Sequence, residues 1–152
     1  MRDRAHPHLH VTRALAHLHQ VNVQTLVNEG AWSVARVLHH LAQSIAFSID
    51  GYPHLKSDVF RHTIGPLALS VFEARGKMMH GLDEPIPGET IDPSIEVEVA
   101  RDRLVAELTR FDAHAGPLQP HFAYGELDKS HYARAHVMHI QNHWLAMSVK
   151  DD

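Results

Sequence analysis

The chain has 152 residues, 44% hydrophobic and 21% charged, the balance of one soluble globular domain with a sizeable core. Its net charge is −4 with histidines neutral and it carries no basic block, so a nucleic-acid surface is not expected. Cysteine is absent, which excludes disulfides, thiolate metal sites and cysteine nucleophiles.

His6, His8 and His10 alternate ahead of the first helix; weak metal binding is one reading, and a frayed polar terminus over residues 1–8 is the preferred one. This terminus lacks the apolar core of a signal peptide, and no later run is long enough to span a bilayer; a cytoplasmic protein without a membrane segment is the expectation. A first helix is predicted over residues 9 to 27, with Val11, Leu15, Leu18 and Leu26 inward, stopped by Asn28-Glu29-Gly30. A second opens at Ser33, a good N-cap, carries Val34, Val37, Leu38, Leu41, Ile45 and Ile49 at helical spacing, and ends at Asp50-Gly51-Tyr52-Pro53. Phe60 and Ile64 follow, and Pro66 is placed to open a short helix carrying Leu67, Val71 and Phe72. Residues 76 to 93, rich in glycine and proline, read as a long crossover loop, a length that is often functional. Asp92-Pro93 then starts a charged amphipathic helix with Val97, Ala100, Leu104, Leu108 and Phe111 inward, ended by Gly116-Pro117. After a loop over 117 to 127, Asp128 caps a last helix. No segment alternates convincingly as a strand, and one all-α bundle spanning residues 1–152 is the economical reading.

Histidine is over-represented, at 16 residues, and the last helix concentrates it. His136, His139 and His143 follow steps of three and four, so they share one stripe with Tyr132, Ile140 and Met147, while Arg134 and Gln141 fall on the opposite side. Neutral imidazole is the commonest protein metal ligand, and a HxxxH pair presents two nitrogens to one point. A third ligand is available on the second helix, where His40 is grouped with Val37, Leu41, Ser44 and Phe47 and is the more inward of the pair His39-His40. Three imidazoles leave a coordination position open, the layout of a reactive site. All-nitrogen ligation suits Zn²⁺, Ni²⁺, Fe²⁺ or Cu²⁺. The competing reading is that such histidines are packed core residues that hydrogen-bond one another. Because a HxxxH pair plus His40 already supplies three ligands, His136 is either a hydrogen-bonded neighbour of the site or a packed ring.

The segment Trp32-Ser-Val-Ala-Arg-Val-Leu-His-His40-Leu-Ala-Gln-Ser-Ile45, followed by Asp50-Gly-Tyr-Pro53, resembles the N-terminal motif of the domain-of-unknown-function 1569 family. Pro120-His121-Phe-Ala-Tyr-Gly125-Glu-Leu127 is similar to that family's His-Pro-x-Phe-Gly-x-Leu motif, and the histidine helix follows at a similar spacing. The resemblance covers about residues 30 to 147 and implies a DinB/YfiT-like four-helix bundle with a long crossover connection and an extra short helix. It implies a divalent metal (Zn, Ni or Fe) on one histidine of the second helix and a HxxxH pair of the last; spacing from Trp32 and Gly125 carries these roles onto His40, His139 and His143. Three positions depart from the family's pattern: Phe122 replaces a proline, Tyr132 a tryptophan and Ala146 a glutamine. The last change bears on polar contacts at the site.

His121, Tyr124 and His136 are the candidate pocket residues. His121 fits either an acid–base role or, preferably, a loop brace; Tyr124 fits a core aromatic or a hydroxyl donor at the site mouth. His80 and Met78-Met79 lie where they would roof the pocket, the methionines by packing. The resemblance implies a metal-dependent, thiol-dependent transferase, or a hydrolase, acting on a small molecule; the alternative is a non-catalytic binding or stress-associated bundle with structural histidines. Relatives of this kind often self-associate, which makes a homodimer the implied assembly. A serine hydrolase is not expected, since no Gly-x-Ser-x-Gly elbow occurs.

Overall fold

The computed structural model describes residues 10–79 and 81–151. The expectations for His6, His8, the frayed terminus and His80 fall outside them. Among the described residues the fold is helical, with one small two-stranded sheet. No helix among the described residues is long and apolar enough to cross a membrane.

Helix α1 (Val11–Gln20) is shorter than its apolar pattern predicts. It buries Val11 and Leu18 and leaves Leu15 half-buried. The chain then turns. The Asn22 side chain accepts a hydrogen bond from the Gln24 amide over a single 3₁₀ turn, Val23–Thr25. Strand β1 (Leu26–Asn28) follows and pairs antiparallel with β2 (Met147–Val149), Val27 opposite Ser148. The prediction of a helix to residue 27 and no strand is therefore corrected. Two features favour the change: Asn22 competes for backbone donors, and Val21, Val23 and Thr25 are β-branched. The strand's partner lies at the far end of the chain, where no local pattern reveals it.

Helix α2 (Val34–Asp50) begins where Ser33 accepts from the Arg36 amide and ends at Gly51, whose φ of 104° only glycine adopts readily. Its inner face carries Val37, Leu38, Leu41 and Ile45, with His40, Ser44 and Ser48 buried among them. A five-residue helix that the pattern did not predict, α3 (Asp58–His62), is capped by Ser57. Helix α4 (Ile64–Arg75) has Pro66 in its first turn, where the missing N–H costs nothing. It buries Leu69 and leaves Leu67 and Val71 exposed.

The long connection runs to residue 96. Asp92 accepts from the amide and hydroxyl of Ser94, so Asp92-Pro93 forms a turn ahead of the helix instead of opening it. Helix α5 (Val97–Ala113) buries Ala100, Leu104, Leu108 and Phe111 completely. Helix α6 (Lys129–Trp144) is capped by Asp128, which accepts from the His131 amide at 2.9 Å. It stops before Met147, which belongs to β2, so that residue is not on the histidine stripe.

Helix α2 packs along α5, α1 lies against α5 and α6, α2 meets α6, and α4 covers a further side of α6. As a result α6 is buried on nearly all sides from Tyr132 to Ile140. Arg134, expected on its outer side, is buried as well, with Nε 3.4 Å from Glu73 of α4 and Nη1 donating to Ser130. The cover supplied by α4 turns an apparent solvent face into an interior one.

Candidate metal centre and cavity

Helices α2 and α6 bring His40, His139 and His143 together, all buried, and one ring nitrogen of each lies within 4.8 Å of the others. His40 Nε2 is 3.1 Å from His139 Nε2. The three ring centroids are 5.0–5.1 Å apart. Nitrogens bound to one tetrahedral ion at about 2.0–2.1 Å stand about 3.3 Å apart, so small side-chain rotations close this cluster onto a cation. Nitrogen ligands without thiolates suit a divalent transition metal, and the residues fit one. Trp32 closes one side: its ring is edge-on to His40 at 5.1 Å and stacked with His143 at 6.5 Å, and the Arg36 guanidinium lies 4.1 Å above it.

Glu89 was not among the residues predicted for the site. Its Oε2 is 2.7 Å from His40 Nδ1, with both side chains inside the protein. A single carboxylate in an aperiodic loop has no pattern to mark it; the only signal was the length of the loop itself.

His136 stands apart from the cluster, although it shares the stripe. Its Nε2 donates to Ser48 Oγ at 3.1 Å, while the Ser48 hydroxyl donates to the Ile45 carbonyl. The ring packs edge-on to Phe111 at 4.9 Å and stacks on Tyr132 at 5.3 Å. Burial lowers its pKa to about 3, so the ring is neutral.

A cavity of about 480 Å³ adjoins the centre and is lined by His40 and His139 together with His121, Tyr124 and His136. His121 Nδ1 accepts from the amides of both Ala123 and Tyr124, at 3.1 Å each, so its proton is on Nε2. The ring therefore braces the loop while also lining the cavity. Burial, and then the neighbouring His136, hold His121 well below the usual imidazole range. Tyr124 stacks on His121 at 4.2 Å, and burial pushes its hydroxyl up to about 12, so it stays a neutral donor. The methionine pair divides: Met78 is buried and lines the cavity, whereas Met79 is exposed.

The three departures from the family pattern also have places. Phe122 stacks on His121 at 4.7 Å, and the Tyr132 hydroxyl donates to the Gln119 carbonyl at 2.6 Å. Ala146 lies beyond the end of α6, where its carbonyl accepts from the Glu29 amide.

Among known proteins, the model of the family described as "Protein of unknown function (DUF1569)" matches residues 4–150. No curated protein and no solved structure matches the chain.

Proposed function

The chain belongs to the DUF1569 family, and from that premise we propose that it is a divalent-metal protein of the DinB/YfiT-like four-helix-bundle class. In this reading His40, His139 and His143 are the ligands, and the adjoining cavity receives a small molecule. The observation that carries it is the convergence of three buried imidazoles from two helices distant in sequence. The bundle assignment is supported by the contacts among α1, α5, α2 and α6, which close a ring, with α4 packed outside it against α6.

Bound at the triad, a divalent ion would supply Lewis acidity and lower the pKa of a water or thiol in its open position. The chain's own groups do the rest. Neutral His121 and Tyr124 offer hydrogen bonds along the cavity wall without bringing charge. Met78 and Ile86 give the wall an apolar stretch, and Lys56 and Glu84 add charged groups to the same lining. This arrangement suits a transferase, thiol-dependent as the family resemblance implies, or a hydrolase.

The test is metal content and metal-linked stability. Protein purified without added metal should carry a divalent ion. After chelation, Zn²⁺ at a hundredfold excess over Kd should raise Tm by roughly 5–10 °C. His139→Ala and His143→Ala should abolish the rise, and affinity should weaken from pH 8 to pH 5, about the range in which imidazoles protonate. A metal-free preparation whose Tm responds to neither Zn²⁺ nor Ni²⁺ would sink the reading.

A further inference from the structure

Glu89 is delivered to the centre by the connection between α4 and α5. Its Oε2 is 2.7 Å from His40 Nδ1, and the two side chains are 5% and 3% exposed. It does not belong to the group whose atoms converge on one point, which is made of histidines alone. An ionised carboxylate accepts and cannot donate, so the pair places the His40 proton on Nδ1 and leaves the Nε2 lone pair on the side of His139.

The loop carrying Glu89 is fastened to the same helix as His40. Gln43, three residues further along α2, grips Thr90 on both backbone groups: its Nε2 donates to the Thr90 carbonyl at 2.9 Å, and its Oε1 accepts from the Thr90 amide at 2.7 Å. The Thr90 hydroxyl donates to the same oxygen at 2.9 Å. On the other side of Glu89, Gly88 has φ +86°, and a Cβ there would come within 2.6 Å of Pro53 Cβ. Only glycine lets the loop lie this close. The same stretch contributes Ile86 and Pro87 to the cavity wall.

We propose that Glu89 is the positioning residue of the metal centre: it fixes the tautomer and ring orientation of His40, and through it metal occupancy is coupled to the seating of the 84–90 segment, of which Glu84, Pro85, Ile86 and Pro87 line the cavity. This rests on the metal reading above. A carboxylate behind a ligand imidazole raises its basicity and removes its rotational freedom, an effect worth about 10- to 100-fold in metal affinity. Coupling is reciprocal, so whatever Glu89 adds to metal affinity, the metal returns to the loop.

The experiment is a Zn²⁺ titration against a competing chelator for the full chain and its Glu89→Ala, Glu89→Gln and Gln43→Ala variants. It is paired with hydrogen exchange over residues 84–90 with and without Zn²⁺. Glu89→Ala should weaken Zn²⁺ binding about 10- to 100-fold. Glu89→Gln, which keeps volume and an acceptor but not the charge, should fall between it and the wild type. Zn²⁺ should slow exchange over 84–90 in the wild type and lose that effect in Glu89→Ala. A purely structural role would lower the unfolding midpoint of the metal-free protein and leave Zn²⁺ affinity alone. Unchanged affinity in Glu89→Gln, which should fold even if Glu89→Ala does not, therefore overturns the proposal while the triad stands. A wild type that binds neither Zn²⁺ nor Ni²⁺ overturns both.

Discussion

His136 and His121 share an interior with the proposed ligands, yet their partners give them different chemistry. His136 is held by Ser48 between two aromatic rings, and His121 is committed at Nδ1 to two backbone amides. Both are neutral when folded, with pKa values pushed down first by burial. In the unfolded chain each returns to about 6.5. Below that pH the unfolded state takes up protons that the folded state refuses, so stability is full above about 6.5 and falls as pH drops toward the folded values. Metal-free protein held in chelator should therefore show a lower urea midpoint at pH 5 than at pH 7.5, before carboxylates titrate. His136→Gln should flatten that slope. A midpoint flat between those pH values would contradict the buried, neutral state of both rings.

Glycines and caps at the ends of elements decide how the site is framed. At Gly65, in the first turn of α4, an added Cβ would fall 1.7 Å from the Ala123 carbonyl oxygen, inside the loop that His121 braces. Backbone stands on the other side of that contact, so the strain cannot be relieved by turning a side chain. Gly65→Ala should cost about 1–3 kcal/mol in urea denaturation and displace the 121–125 loop; a midpoint equal to wild type would show that α4 and the loop separate freely. The capping residues Ser33 and Asp128 were readable in advance, because a cap is a local arrangement of one side chain and an amide within a turn. Strand β1 was not, because its partner is β2 at the other end of the chain. The start of α5 also moved, from Asp92-Pro93 to Val97, because the Asp92 side chain is spent on Ser94.

For the whole molecule, the helix pair α2–α5 forms the centre and α4 the outer cover. Leu104 is fully buried in α5 and Leu67 is 67% exposed on α4, though both are leucines on helices. Leu104→Ala should cost about 2–5 kcal/mol, and Leu67→Ser should stay within about 0.5 kcal/mol of wild type. Similar losses for the two would mean that α4 is not peripheral. The inward faces of α2 and α5 were legible because apolar residues recur at the helical period, and so was the histidine stripe. What periodicity could not supply was the surroundings: Arg134 reads as solvent-facing until α4 is placed over it, and His136, already set apart from the ligand pair, has no visible partner until Ser48 is placed beside it. By itself the sequence determined the inward faces of α2 and α5, the absence of thiolate chemistry and the histidines available. The tertiary structure decided which nitrogens meet, since His40 and His139 are 99 residues apart and 3.1 Å distant. It also brought Glu89 to them from a loop with no repeating pattern. The physical reason is that periodicity arises from backbone geometry within one element, whereas a cluster of ligands arises from packing between elements.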